Sequence, residues 1–489
     1  MAARVRWRLA AAAAAVTAVG VVAGVLVLRS ARPNVLLITI DTLRADRLSC
    51  YGYAGGRTPS IDRLAAEGLR FRNAFCDVTW TTPSMSSVMT GSYATRHGLR
   101  STYQQLDPAN TTLAEVLKAH GYRTAAIIGS YPLDHVFGLD QGFDSYDDRF
   151  SAPAVVGGKA AADRLPSRFC PDIDEQRLFQ YLKAQADAYR PDNEVSDAAI
   201  AWLTENRHEP FFLWVHYFGP HELSDMRLGW KEQDEHTIAV YDADVRRTDA
   251  EVGRLLAALD EHGLRGRTLT ILHADHGQSL GEHLYVGHGR NLYDPTLRVP
   301  LVIRLPGVVP SGATPAALAR NVDIMPTVLD LLRLPRPQPI DGDSLRPLWQ
   351  QPDPPDRELY CETYLPATEA FQDVVPDGQG GTMKVAFRRR GIRTARWKLV
   401  LNEPWPLIDF AHPPAVPDEI VRRFTSAELY DVVANPLEMS TGVVVDRPDV
   451  VTALRERIAA HAAVAGHASG RRDLDEAGRQ RLRSLGYVQ

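Results

Sequence analysis

Residues 79–91 read TWTTPSMSSVMTG and set two threonine hydroxyls directly ahead of a proline. Proline disfavours helical geometry in the residue before it. The spacing therefore predicts an extended Thr82 as helix cap, Pro83 at the first helical position, and a helix from Ser84 to Thr90 with Gly91 after it. Thr81 then stands just before a helix N-terminus, where unpaired backbone N–H groups attract anions and stabilise developing negative charge. That setting suits a hydroxyl nucleophile. It also suits a plain cap, and the local pattern alone favours caps at Thr81 and Thr82. Three other stretches end in polar groups. VLLITI runs into Asp41, LTILHA into Asp275-His276, and FFLWVHYF through Gly219-Pro220 into His221. Two carboxylates and an imidazole brought to one edge make a site for a divalent cation. Singly, an Asp after a strand is more often a turn or cap residue, and His216, inside its apolar run, reads as a core histidine.

Such groups need a rigid edge on which to meet. VLLITI (35–40), TAAIIG (124–129), FFLWVHYF (211–218), LTILHA (269–274) and PLVIRL (300–305) are continuous apolar runs, as expected of strands buried on both faces of a mostly parallel sheet. Helices are predicted between them. TPSIDRLAAEG has Thr58 as cap and Pro59 at the first helical position, and TLAEVLKAHG has Thr112 and Glu115 in capping-box spacing. VRRTDAEVGRLLAALDEHG is a long amphipathic stretch. The alternation predicts an α/β sandwich. In an open parallel sheet ligands bind beyond the carboxyl ends of the strands, where Asp41, Asp275 and His276 fall. After the proline-rich LPRPQP (334–339) and QPDPPD (351–356) the pattern changes. Residues 383–401 read as an antiparallel hairpin and 447–463 as a helix, so a smaller α+β domain is expected over 351–489, after a main domain over 33–350.

At the N-terminus, Arg4, Arg6 and Arg8 precede an uncharged apolar stretch from Leu9 to Leu28, closed by Arg29 and Arg32. About 20 apolar residues span a bilayer. With no small-residue cleavage site after it, residues 1–32 read as a short cytoplasmic segment and an uncleaved anchor, with cleavage and secretion as the alternative. Either way the remainder is expected outside the cytoplasm, periplasmic or extracellular. The 489 residues carry 45% hydrophobic and 24% charged side chains and a net charge of −5, which speaks against a nucleic-acid partner. The run Arg388-Arg389-Arg390 reads as a solvated strand face. Cys50, Cys76, Cys170 and Cys361 show no metal-binding spacing, and no disulfide pairing follows from them.

Taken together, these stretches resemble the sulfatase family of the alkaline-phosphatase superfamily. PNVLLITIDTLRADRLSCYGY is similar to its opening strand and first metal carboxylate, and TPSMSSVMTGSYATRHGL to its nucleophile helix. GLDQGFDSYDD, HADHGQSLGEH, GHGRNLYDPTLRVPLVIR, DIMPTVLDLL, DGDSLRPLW, AELYDVVANPLEM and RLRSLGYVQ follow in the family's order. The resemblance implies an α/β/α sandwich with a smaller C-terminal α+β domain. It puts Asp41, Thr81, Asp275 and His276 at metal-ligand positions and Thr81 at the nucleophile. It puts His221 at a histidine that contacts the anionic group, and His288 near a basic residue of the same pocket.

The chain also departs from the family pattern. Sulfatases oxidise a cysteine or serine to formylglycine at the position of Thr81, and a threonine does not yield that aldehyde. The motif's arginine is Met85, the family's Gly-Lys-Trp-His element falls on Gly129-Ser130-Tyr131-Pro132, and the second aspartate after Asp41 is Thr42. Cys76 has no proline two residues on and does not restore the motif. The expectation is a metal-dependent hydrolase of sulfate or phosphate esters. It would use Thr81 as a metal-bound nucleophile through a covalent intermediate, assisted by His221 and His288. One divalent ion (Zn, Mn or Ca, with a second possible) would serve, without formylglycine. The substrate would be a small-molecule, glycan or lipid ester. Alternatives are a membrane-anchored transferase of phosphoryl-linked headgroups and a catalytically dead binding protein. The oligomeric state is left open.

Overall fold

The computed structural model describes residues 32–102, 104–150, 188–221, 235–351, 356–364, 373–376, 382–405, 425–467, 469–471 and 474–485. The expected anchor span 9–28 and Cys170 lie outside them. Among the described residues no helix is long and apolar enough to cross a membrane. Cys50, Cys76 and Cys361 are free thiols.

Each apolar run forms a strand. In chain order the main sheet uses β1 (Asn34–Ile40), β2 (Leu69–Arg70), β3 (Arg123–Ile128), β4 (Ser145–Asp147), β5 (Phe211–Tyr217), β6 (Thr268–Ala274) and β7 (Leu301–Arg304). Across the sheet they run β2-β7-β6-β1-β5-β3-β4. β1 is parallel to β5 and β6, and β3 is parallel to β5 and β4. Only β7 runs against the rest, antiparallel to both β6 and β2. The absence of polar alternation is explained by burial on both faces. Leu36, Ile38 and Ile40 pack into one apolar cluster, and Val35 and Leu37 into the other. Helices α1 (Pro59–Glu67), α4 (Asp192–Asn206) and α5 (Glu235–Glu261) cover the first face with Leu64, Leu203 and Leu255. The second is covered by α2 (Thr81–Thr90), α3 (Leu113–Ala119) and α6 (Ile324–Leu331), with Val88, Leu117 and Val328. At about 2 kcal/mol per fully buried aliphatic side chain, these two layers hold the strand ends in fixed relation. The capping box of α3 forms as its spacing requires: the Glu115 N–H donates to Thr112 Oγ1 (3.1 Å) and the Thr112 N–H to Glu115 Oε2 (2.8 Å).

A second, antiparallel sheet follows, from β8 (Leu359–Tyr364), β9 (Asp373–Pro376), β10 (Thr382–Arg393), β11 (Trp397–Trp405) and β12 (Ser426–Asp431), with α7 (Pro448–Ala462) against it. The predicted hairpin is β10–β11. The arginine run on β10 is not a solvated face. Arg388 and Arg390 pair with Glu403 across the hairpin at 2.9 and 2.6 Å, and Arg389 reaches Asn402 Oδ1 at 2.6 Å. Opposite charges facing each other across a ladder allow three successive arginines to lie largely buried.

The two sheets are tied through a buried charge cluster. Lys398 of β11 is fully buried and its Nζ meets Asp294 Oδ1 at 3.0 Å and Glu438 Oε1 at 2.6 Å. The Asp294 N–H donates to Glu438 Oε2 (2.6 Å), and Arg393 also reaches Asp294 (3.1 Å). Burial opposes the ammonium charge, but the two carboxylates outweigh it and raise its pKa. Removing one member of a buried ion pair leaves an uncompensated charge. Lys398→Met is therefore expected to lower stability by about 3–5 kcal/mol, and adding Glu438→Gln should recover part of that, as read by urea unfolding. A Lys398→Met protein as stable as the wild type would show that the cluster does not tie the sheets.

Candidate active site

Adjacent strands β5, β1 and β6 end side by side, and the polar groups predicted at their ends converge. The Asp41 N–H donates to Tyr217 O (2.9 Å), which fixes the first residue beyond β1. Asp41, Asp275 and His276 are fully buried, with donor atoms within 4.8 Å of one another. His276 Nε2 lies 3.9 Å from Asp41 Oδ1 and 3.4 Å from Asp275 Oδ2. Asp275 Oδ1 accepts from the N–H groups of Thr42 (3.1 Å) and His276 (2.8 Å). His276 Nδ1–H donates to Gly277 O (3.0 Å), so its Nε2 presents a lone pair to the cluster.

The helix that carries Thr81 begins earlier than its proline suggests. Helix α2 starts at Thr81 and Trp80 is the extended cap, with the Ser84 N–H donating to Trp80 O at 3.0 Å. Pro83 is the third helical residue, where its missing N–H costs nothing because that donor has no intrahelical partner. Neither threonine caps the helix. The Thr82 hydroxyl donates to Pro132 O (2.6 Å), and Thr81 Oγ1 lies 3.1 Å from His276 Nε2. Ser84 Oγ donates to Asp275 O (2.5 Å), pinning the first turn of α2 to the end of β6.

Beside this group stand two more histidines. His288 Nδ1–H donates to Thr79 O (3.2 Å), which leaves its Nε2 to accept from His221 Nε2–H at 3.1 Å. The His288 ring stacks on His276 with centroids 4.3 Å apart and meets Trp80 edge-on at 5.2 Å. The next residue, Gly289, has φ +78°, and a Cβ there would lie 2.2 Å from the Trp80 ring, so only glycine lets this loop approach. All six expected site residues are thus in one buried group.

Sequence reading missed two neighbours. His216, expected to be a core histidine, has its Nε2 3.8 Å from Asp41 Oδ2. Thr42 holds φ +56°, an uncommon conformation for a β-branched residue, and its buried hydroxyl has no hydrogen-bond partner. The strain is held by its amide on Asp275 and by the Tyr241 hydroxyl donating to Thr42 O (2.8 Å). The signal available in the sequence was position: Thr42 follows Asp41, and His216 lies on the strand next to β1.

Electrostatics fit a cation. Burial raises the Asp275 pKa, against a lowering by His216, and pushes His276 down to about 3. A neutral imidazole cannot balance two adjacent carboxylates, whereas a divalent cation restores charge to the acids and uses the imidazole lone pair. Asp41, Asp275 and His276, with the Thr81 hydroxyl, would hold it. Two carboxylate oxygens, one nitrogen and one hydroxyl form a donor set that zinc or manganese tolerates at least as well as calcium.

Behind α2 lies a second buried polar group. Asp77 accepts from Asn321 Nδ2 (2.6 Å) and Ser87 Oγ (2.8 Å), and His97 Nε2 lies 3.0 Å from the same Ser87 oxygen. Burial pushes the Asp77 carboxyl up to about 7, against those hydrogen bonds, which lower it. A carboxyl whose native pKa lies above its unfolded one stabilises the fold fully below pH about 4, and that contribution is lost as pH rises through about 7. Stability should fall by up to about 1.4 kcal/mol per pH unit across that window from this group. Asp77→Asn, which mimics the protonated form, should remove that share of the slope. Identical slopes in both proteins between pH 5 and 7.5, measured by urea unfolding, would contradict the assignment.

Cys76 takes no part in the site; it is buried, with its Sγ 3.5 Å from Thr296 O. Comparison with known proteins agrees with the fold. Residues 33–334 match the family model described as Sulfatase, and residues 281–462 match the model for the C-terminal part of N-sulphoglucosamine sulphohydrolase. The chain is 28% identical to steryl-sulfatase of Mus musculus over 430 residues, covering 68% of each chain. It is 27% identical to the multifunctional alkaline phosphatase superfamily protein PehA of Trinickia caryophylli, over 68% of this chain and 80% of that one. The phosphonate monoester hydrolase of Agrobacterium radiobacter superposes with a TM-score of 0.63 at 20% identity, covering 88% of this chain and 91% of that one. With Thr81 at the start of a helix, two buried acids and an imidazole at the carboxyl edge of a sheet whose whole length matches one family model, the chain belongs to the sulfatase family of the alkaline-phosphatase superfamily and is an ester hydrolase.

Proposed function

We propose that the chain hydrolyses phosphate or phosphonate esters through a covalent intermediate on Thr81. The observation that carries this reading is the placement of Thr81 Oγ1 at the first residue of α2, 3.1 Å from the unprotonated Nε2 of His276 and beside two buried acids. A divalent cation at Asp41, Asp275 and His276, when bound, supplies Lewis-acid stabilisation of anionic oxygen. The chain's own groups do the rest. Thr81 gives its hydroxyl proton to solvent as its oxygen attacks the phosphorus in line; the Thr81 oxygen–phosphorus bond forms and the bond to the leaving oxygen breaks. The positive end of the α2 dipole lies at Thr81, where charge builds on the non-bridging oxygens. His221 and His288 stand on the leaving group's side, where the His221 Nε2–H leaves His288 Nε2 for the leaving oxygen and is replaced by a proton from the water that attacks next. Water then attacks the phosphorus and releases Thr81.

Chemistry favours phosphorus over sulfur. A sulfated formylglycine hydrate collapses by expelling sulfate as the aldehyde returns, whereas a sulfated threonine has no such exit. PehA, described as multifunctional within the same superfamily, supports a reading broader than sulfate. The natural ester is proposed to be a small molecule, or a glycan or lipid carrying the group. The test is turnover of aryl phosphodiesters, phosphonate monoesters and aryl sulfates by the wild type and by Thr81→Ala. Phosphorus-ester turnover lost in the variant supports the reading. Sulfate turnover that persists in the variant overturns it.

A further inference from the structure

His216 lies on β5 directly beside Thr39 of β1 in the parallel register. It is fully buried, with Nδ1 2.8 Å from Thr39 Oγ1. That oxygen also accepts from Trp214 Nε1–H at 2.8 Å. An indole nitrogen only donates, so it occupies a lone pair of the hydroxyl. The hydroxyl keeps a second lone pair, but among the described residues its single proton finds no acceptor other than His216 Nδ1, and this makes Nδ1 the acceptor. An accepting Nδ1 is unprotonated, so His216 carries its proton on Nε2. Nε2 has no hydrogen-bond partner in the protein and faces Asp41 Oδ2 at 3.8 Å.

We propose that His216 is a positioning residue for the cation centre. The chain Trp214 to Thr39 to His216 fixes the tautomer and aims the Nε2–H at Asp41 Oδ2. This turns the other oxygen, Oδ1, toward His276 Nε2, 3.9 Å away, and so toward the cation. The inference rests on the cation reading of Asp41, Asp275 and His276. A direct ligand role for His216 is the rival. It needs a lone pair on Nε2, hence a proton on Nδ1, and would leave the Thr39 hydroxyl proton without an acceptor. Partners of this kind change metal affinity by about 10–100-fold when removed.

Two measurements decide it. In protein labelled with 15N-histidine and stripped of metal, the His216 signal, assigned by its loss in His216→Gln, should show an unprotonated Nδ1 and a protonated Nε2. A protonated Nδ1 overturns the inference. This readout needs no metal, so it stands apart from any failure of the cation reading. In equilibrium dialysis against Mn2+, His216→Leu should weaken binding about 10–100-fold, while His216→Gln, which retains a donor near the Nε2 position, stays within about threefold of wild type. Thr39→Val should weaken binding in the same direction and add little to His216→Leu, and it keeps the test open if the leucine variant fails to fold. Wild-type affinity in both His216→Leu and Thr39→Val, or equal losses in the leucine and glutamine variants, overturns the proposal. If wild-type protein takes up no Mn2+, the cation reading falls and the tautomer measurement alone decides the relay.

Discussion

Thr81→Ala is expected to lower kcat/KM for an aryl phosphodiester by about 10^4-fold, while Thr81→Ser stays within about tenfold of wild type. The size follows from the role. If Thr81 carries the covalent step, its loss removes the bond-forming atom and not merely one contact. Serine keeps that oxygen at the start of α2, 3.1 Å from the lone pair of His276 in the threonine protein. Folding should be unaffected, because the Thr81 hydroxyl makes no cap bond; α2 is anchored by Thr82 on Pro132 and Ser84 on Asp275. Mass spectrometry of wild-type protein quenched in the first turnover should find the transferred group on Thr81. If Thr81→Ala instead keeps wild-type kcat with a raised KM, the hydroxyl only binds substrate. A water would then be the nucleophile.

The fold was legible because its signals are collective. Five apolar runs gave five strands of one sheet, since burial on both faces removes polar alternation and nothing else does so over six or seven residues. The meeting of Asp41, Asp275 and His276 at the ends of β1 and β6 followed from the same rule. Less legible were features that depend on a neighbour far away in sequence. Pro83 argued for a helix start at itself, yet Ser84 is held by Asp275, and this lets the helix begin two residues earlier. Three arginines in a row read as solvent-facing because their partners across the hairpin, Glu403 for Arg388 and Arg390 and Asn402 for Arg389, cannot be paired with them from one strand's pattern. His216 read as core, correctly for its burial. Its distance to Asp41 is set by the β1–β5 register, which periodicity does not carry. Thr42 read as a lost ligand, and its positive φ became visible only with the Asp275 and Tyr241 contacts that enforce it.

The proposed cation site at Asp41, Asp275 and His276 gives an expected crossing in stability. With metal bound, wild-type protein gains stability as RT ln(1 + [L]/Kd), about 4 kcal/mol at a thousandfold excess over Kd, and chelation should remove it and abolish turnover together. Asp41→Asn should reverse its sign between the two conditions. In chelator, the wild type keeps two buried acids whose oxygens lie within 4.8 Å of a common imidazole, and burial already drives the Asp275 pKa up. Replacing one acid by a neutral isostere removes that repulsion, so the metal-free variant should melt above metal-free wild type. In saturating Mn2+ or Zn2+ the order should invert, because the variant has lost a charged ligand and binds the ion weakly. Melting curves of both proteins with metal and with chelator test this directly. Should Asp41→Asn melt below the wild type in chelator, the carboxylate is supported by protein donors alone, and the case for a cation held between these acids would lose its electrostatic basis.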